Sequence, residues 1–113
     1  MYKCHSWGVD GFDWDANNRA KCQKHGVSIA EIEALFSSPV RVRPDMAHAD
    51  QEKRFQLIGR TLAGRAVFMV FTWRFRHGSR FVRPISARYM HAKEVVHYES
   101  QTDSTEDDPD VSV

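Results

Sequence analysis

From Ala66 to Arg74 the sequence is apolar at both parities of a strand, with Val67, Met69, Phe71 and Trp73 alternating against Phe68 and Val70. Successive side chains of a pleated strand point to opposite sides, so such a run needs cover on both faces and belongs in the interior of a sheet. The flanking segments are patterned to pair with it. From Arg54 onward, Phe55 and Leu57 share one face while Arg54, Gln56 and Arg60 share the other. Leu62 to Arg65 supplies a glycine-containing turn. After a second turn at His77, Gly78 and Ser79, a third strand runs from Arg80 to about Arg88. Pro84 removes one ladder donor from that strand, which predicts an edge or a bulge. The expectation is a three-strand meander, with Val40 to Arg43 as a short additional strand stopped by Pro44 and a polar loop from Asp45 to Gln51.

Helical signals bracket this sheet. Asp15 is an N-cap candidate and Gly26 a left-handed stop, with Lys24 and His25 in the last turn, so the first helix is expected over Ala16 to His25. Ser28 opens a second helix with Glu31 completing a capping box, Val27 and Ile32 forming a hydrophobic staple, and Ile32, Leu35 and Phe36 as the buried stripe. That helix ends before Pro39. His91 to Tyr98 returns to helical spacing, with Ala92, Val95 and Val96 as the candidate inward residues. The expected architecture is an α+β domain of two N-terminal helices, an antiparallel sheet of three to four strands and a C-terminal helix.

At 113 residues one domain is expected, assigned to residues 1–99. The segment 100–113 is acidic and poor in large apolar residues, and is expected to be disordered. The formal net charge of +1 conceals a strong asymmetry: residues 1–98 carry 16 basic against 9 acidic side chains, and the last fifteen positions carry six acids and no base. Between Lys53 and Lys93 there are ten cations and no Asp or Glu. A cationic sheet face of this kind suits a polyanion, whose condensed counterions are released when Lys and Arg replace them. No helix carries the positive face that would let this chain read DNA sequence alone. No apolar run is long enough to span a bilayer and no signal-peptide core is present, so the expected location is the cytoplasm, with no membrane partner. Cys4 and Cys22 are too few for a disulfide framework. Their spacing with His5 and His25 matches no standard zinc pattern, and no metal or other cofactor is expected.

With these elements placed, four stretches carry a family likeness: Phe12-Asp13-Trp14-Asp15, then Lys24-His25-Gly26-Val27-Ser28, then Glu52-Lys53-Arg54 leading to Ile58-Gly59-Arg60, and Ile85-Ser86-Ala87-Arg88 followed by Glu94 and Tyr98. In this order and spacing the chain resembles the BrnT toxins of bacterial type II toxin–antitoxin systems, small ribonucleases with a RelE-like fold, over roughly residues 12–99. It departs from the family pattern at Asn18, where a Lys is typical, at Cys22, where an Asn is typical, and at Pro84, where an apolar residue is typical.

The resemblance implies RNA cleavage without a metal, by attack of a ribose 2′-hydroxyl on its neighbouring phosphorus, and hence inhibition of translation. That reaction needs a base, a cation for the phosphoryl oxygens, and a proton for the departing 5′-oxygen. Arg suits the cationic role because its planar fork meets two phosphate oxygens and stays charged. Arg88, Arg60 and Arg54 are the leading candidates. His25 is a candidate base or acid, with a competing role at the helix end, and Glu52 could orient an Arg or take a proton. Lys24, Lys53, Arg74, Arg76, Arg80, Arg83 and Tyr89 are candidate RNA contacts, Tyr89 by stacking or through its hydroxyl. Trp14 and Trp73 sit in apolar patterns and are expected in the core, while His77 and His91 are expected at the surface.

The resemblance further implies a cognate antitoxin, similar to BrnA and built on a ribbon-helix-helix, through which the complex would contact operator DNA. The alternative is a catalytically weak or inactive RelE-like binding module acting with its partner in transcriptional autoregulation.

Overall fold

The computed structural model describes residues 2–4, 8–38, 40–45 and 52–104. Two capping boxes start its first two helices. Asp15 accepts from the Asn18 amide at 2.9 Å while the Asn18 side chain accepts from the Asp15 amide at 2.7 Å, opening α1 (Ala16–Gln23). Ser28 and Glu31 exchange the same pair of bonds at 3.1 and 2.9 Å to open α2 (Ile29–Leu35), as the sequence predicts. The first helix stops two residues before the expected His25, and Gly26 takes the left-handed conformation, φ 96°, that the chain needs to turn.

The strands are β1 (Tyr2–Cys4), β2 (Gly11–Phe12), β3 (Val40–Pro44), β4 (Phe55–Arg60), β5 (Ala66–Arg76) and β6 (Ser79–Tyr89), in the sheet order β1-β3-β4-β5-β6-β2. This corrects the expected three to four strands to six among the described residues. The meander and its central strand are as predicted. The two additions are edge strands of two and three residues, too short for a period-two pattern to register. β2 is also parallel to β6, so the sheet is not purely antiparallel, and it is secured by the Asp10 amide on the Arg80 carbonyl and the Asp13 amide on the Val82 carbonyl, both at 2.8 Å. The third helix, α3 (Ala92–Ser104), continues past Tyr98 through the first five positions of the segment expected to be disordered, and of its expected inward residues only Val95 is half-buried, Ala92 and Val96 being exposed. Positions 46–51 of the expected polar loop and positions 105–113 of the acidic tail lie outside the described residues.

Register assigns each side chain to a face. Val42, Leu57, Met69 and Ala87 lie opposite one another across β3 to β6, and all are buried under α1 and α2 with Cys22, Val27, Ile32, Leu35 and Phe36. Gly59 sits on this face because a Cβ there would come within 2.7 Å of Val40 Cγ1 and 3.2 Å of Leu35 Cδ2, so its absence lets α2 seat on the sheet. One residue along, the row Arg41, Ile58, Phe68 and Arg88 points to the opposite, outer face. There α3 is tied by Glu94 to Arg88 on β6 and by Tyr98 to Arg43 on β3.

Pro84 lies at a bulge, as its missing donor predicts. The ladder steps from Val70 opposite Ser86 to Phe71 opposite Pro84, leaving Ile85 over. The buried Asn18 amide nitrogen donates to the Pro84 carbonyl at 2.9 Å and to the Asp13 carbonyl at 3.0 Å. Two of the three departures from the family pattern are therefore bonded to each other. The third, Cys22, is fully buried, and burial pushes its thiol up to about 11, which keeps it protonated. Trp14 and Trp73 pack against the core as expected, Trp14 also donating to Glu33 at 2.9 Å.

Candidate nucleic-acid interface

The acid-free run of the sequence is not acid-free in space. At the end of the sheet that carries the β5–β6 turn, acids from elsewhere in the chain meet its arginines. Arg76 pairs with Asp13 at 3.1 Å, and Arg83 reaches Asp15 at 2.8 Å and Asp13 at 3.5 Å. Glu52 lies 3.2 Å from Arg74 and 3.6 Å from Arg54, and Asp10 accepts from the Arg80 amide at 2.7 Å. The Asn18 amide, reinforced by Arg83, holds the Asp15 carboxyl below its ordinary range, and Asp15 in turn raises Arg83. The Arg80 guanidinium lies 4.0 Å above the Trp73 ring, while Lys53 is exposed and lends its carbonyl to the Thr72 hydroxyl at 2.6 Å. These contacts fasten the N-terminal segment and the approach to β4 onto the long hairpin.

The opposite end is formed by the β4–β5 turn, the exit of β6 and the α1–α2 turn, and there the cations are differently placed. Arg88 lies on the outer face with its guanidinium 4.9 Å from the centre of the Phe68 ring. It meets Glu94 through two parallel bonds of 2.8 and 2.7 Å. That fork, together with the His91 amide on the same carboxylate, drives the Glu94 pKa down to about 2, and the carboxylate raises Arg88. Arg60 is exposed on the same face and donates to the Gly64 carbonyl at 2.9 Å, inside the turn.

Tyr89, next along β6, points to the helical face. Its hydroxyl donates to Glu31 Oε1 at 2.7 Å and lies 3.5 Å from the Gly26 carbonyl, beside the exposed Lys24 and His25. The Arg65 guanidinium rests 3.5 Å above the Tyr89 ring. The Ser28 amide and then the Tyr89 hydroxyl lower the Glu31 pKa, and the carboxylate acceptor raises that of the Tyr89 phenol.

The structure therefore divides the five candidate catalytic residues. Arg88 and Arg60 lie on the outer face at the β4–β5 end, and His25 lies at the same end on the helical face. Arg54, one residue before β4, stands a full strand length, roughly 20 Å, from Arg60 at its other end. Arg54 and Glu52 pair with each other at the far end, where Arg74, Arg76, Arg80 and Arg83 also lie. Lys24 and Tyr89 join the first group. Sequence reasoning missed two members of that group. Glu31 is fully accounted for as a capping residue, and nothing in the sequence signals its bond to Tyr89, 58 positions away. Arg65 reads as an ordinary turn residue until the fold sets it on the ring.

Two short helices over a mostly antiparallel six-stranded sheet, with Lys24, Arg60, Arg65 and Arg88 collected at one end, define a small α+β domain with a cationic sheet terminus. Residues 14–94 match the family described as the ribonuclease toxin, BrnT, of type II toxin–antitoxin systems, and the chain belongs to that family. Membership brings with it ribonuclease activity as the family's described chemistry and an antitoxin as partner. No significant match to a curated protein was found. No helix of the described residues is long and apolar enough to cross a membrane.

Proposed function

We propose that this chain is a metal-independent endoribonuclease of RelE-like fold that cuts messenger RNA at the β4–β5 end of its sheet and so inhibits translation. The observation that carries this reading is Arg88: a guanidinium fork at a sheet terminus, already holding a planar two-oxygen anion with the geometry a phosphodiester would use. RNA would replace the Glu94 carboxylate with its phosphate. Arg60 flanks the same face and adds positive charge where the backbone approaches. In the reaction the ribose 2′-oxygen bonds to phosphorus as its proton leaves to a base, and the bond from phosphorus to the 5′-oxygen breaks as that oxygen gains a proton. The products are a 2′,3′-cyclic phosphate and a free 5′-hydroxyl. Arg88 stabilises charge on the phosphoryl oxygens; His25 lies on the other side of the sheet, in the α1–α2 turn beside Tyr89, and is not assigned to proton transfer. Arg54 and Glu52 belong in this reading to the ion-paired network that holds the far end together.

The antitoxin, with a ribbon-helix-helix part, covers the same cationic terminus, and the complex represses its own operon. A basic face with partly masked arginines suits an acidic partner segment, because complementary fields speed association. An adjoining reading frame with ribbon-helix-helix patterning is the check on this partner; its absence would remove the claim.

The occupied Arg88 fork favours one competing reading, a module that binds RNA or its partner without cutting. Purified protein incubated with single-stranded RNA in excess chelator separates the two. Cyclic phosphate ends are expected, and intact RNA at high protein concentration with binding retained would establish the module instead.

A further inference from the structure

We infer that the stacked Arg65–Tyr89 pair is a platform for an unpaired RNA base, positioning the nucleotide beside the phosphate held at Arg88. This rests on the ribonuclease reading above. Flat aromatic rings and guanidinium planes are the surfaces on which unpaired bases stack. Here both occur together, with the guanidinium 3.5 Å from the ring centre.

Each component is fixed from behind. The Tyr89 ring is held at its tip by Glu31, and a Cβ at Gly26 would lie only 3.7 Å from Tyr89 Cε2, so the α1–α2 turn supports its edge. Arg65 is presented by a closed turn in which the Thr61 amide donates to the Arg65 carbonyl at 2.9 Å and the Arg65 amide to the Thr61 hydroxyl at 3.2 Å. Gly64, φ 88°, makes that turn possible. The guanidinium itself is exposed. It therefore offers its outer plane to a base, with its N–H edge available to a phosphate.

Position supports the assignment. Arg88 and Tyr89 are consecutive in β6 and point to opposite faces of the sheet. A strand of RNA that turns around this end places a phosphate on the Arg88 side and the adjoining base on the Tyr89 side. Of the acids nearby, Glu31 stays ionised with the Arg65 guanidinium as its counter-charge, and Glu94 gives up Arg88 to the incoming phosphate.

The test is fluorescence anisotropy of the full chain with a labelled eight-nucleotide 2′-O-methyl strand, which cannot be cut because its nucleophile is blocked, and with the same backbone lacking bases. Tyr89→Ala should weaken the first strand roughly five- to a hundredfold, the range for one stacked base, and leave the abasic strand within about twofold. Tyr89→Phe keeps the ring and should bind both strands within about threefold of the unaltered chain. Arg65→Ala should weaken the strand with bases more than the abasic one. Equal losses on both strands for Tyr89→Ala, or no loss on either, would overturn the platform while leaving the ribonuclease reading intact. An unaltered chain that binds neither strand would remove both.

Discussion

Replacing Glu94 by Gln should make this protein a better RNA binder. The carboxylate holds Arg88 through two bonds of 2.8 and 2.7 Å, and it is the group that RNA must displace. Its pKa falls from 4.5 to about 2. Taken without screening, such a shift corresponds to roughly 3 kcal/mol of interaction. The two side chains are 39% and 29% exposed, however, and solvent screening of such a pair reduces the figure to about 1 kcal/mol. A competitor of that strength lowers RNA affinity about fivefold. Gln keeps an oxygen for the His91 amide, which now bonds Glu94 at 3.1 Å, so the start of α3 should survive the change. Anisotropy with an uncleavable single strand should show Glu94→Gln binding about fivefold more tightly at low salt, with the difference narrowing as salt screens the pair. Equal or weaker binding, in a variant that still unfolds in one cooperative transition above the assay temperature, would refute the idea that Glu94 stands in for phosphate.

Four further outcomes follow from the same geometry. Arg76→Ala and Arg83→Ala should leave RNA affinity within about twofold while lowering the melting temperature, because these arginines fasten Asp13 and Asp15 and do not line the proposed site. Asn18→Ala strips the Pro84 and Asp13 carbonyls of a buried donor and should cost about 1–3 kcal/mol, read as a lower thermal midpoint. Gly59→Ala drives a methyl into Val40 and Leu35 and should cost about 1–3 kcal/mol, part of which a second change, Val40→Ala, should restore. Glu94, Glu31 and Asp15 all have folded pKa values below their ordinary ones, so their stabilisation is complete above about pH 4.5 and declines as the solution is acidified, for Glu94 through about 2. Melting followed from pH 6 to pH 2 should show this decline, with a smaller drop in Glu94→Gln.

The sheet was legible because β5 is apolar at both parities and because Pro84 marks its own bulge. Both helix starts were legible because a cap is a local device, written within four residues. The short edge strands were not, since β2 depends on Asp10 and Asp13 bonding to β6 some 70 positions later and β1 on pairing with β3 some 40 positions later. The same distance hides the electrostatics. Ten cations without an acid looks like one continuous anion-binding face, yet Asp10, Asp13, Asp15 and Glu52 fold onto one end of it. What remains as a candidate site is the other end, and the Glu31–Tyr89–Arg65 group there depends wholly on tertiary contact.

The claim that the chemistry belongs to the β4–β5 end is tested most directly by single-turnover RNA cleavage in excess chelator, comparing Arg88→Ala with Arg54→Ala. These arginines share the acid-free run but lie at opposite ends of the fold. Loss of the phosphoryl-binding cation should slow Arg88→Ala at least about a hundredfold, while Arg54→Ala stays within about threefold of the unaltered chain. Equal losses in the two variants, or a larger one at Arg54, would contradict the account.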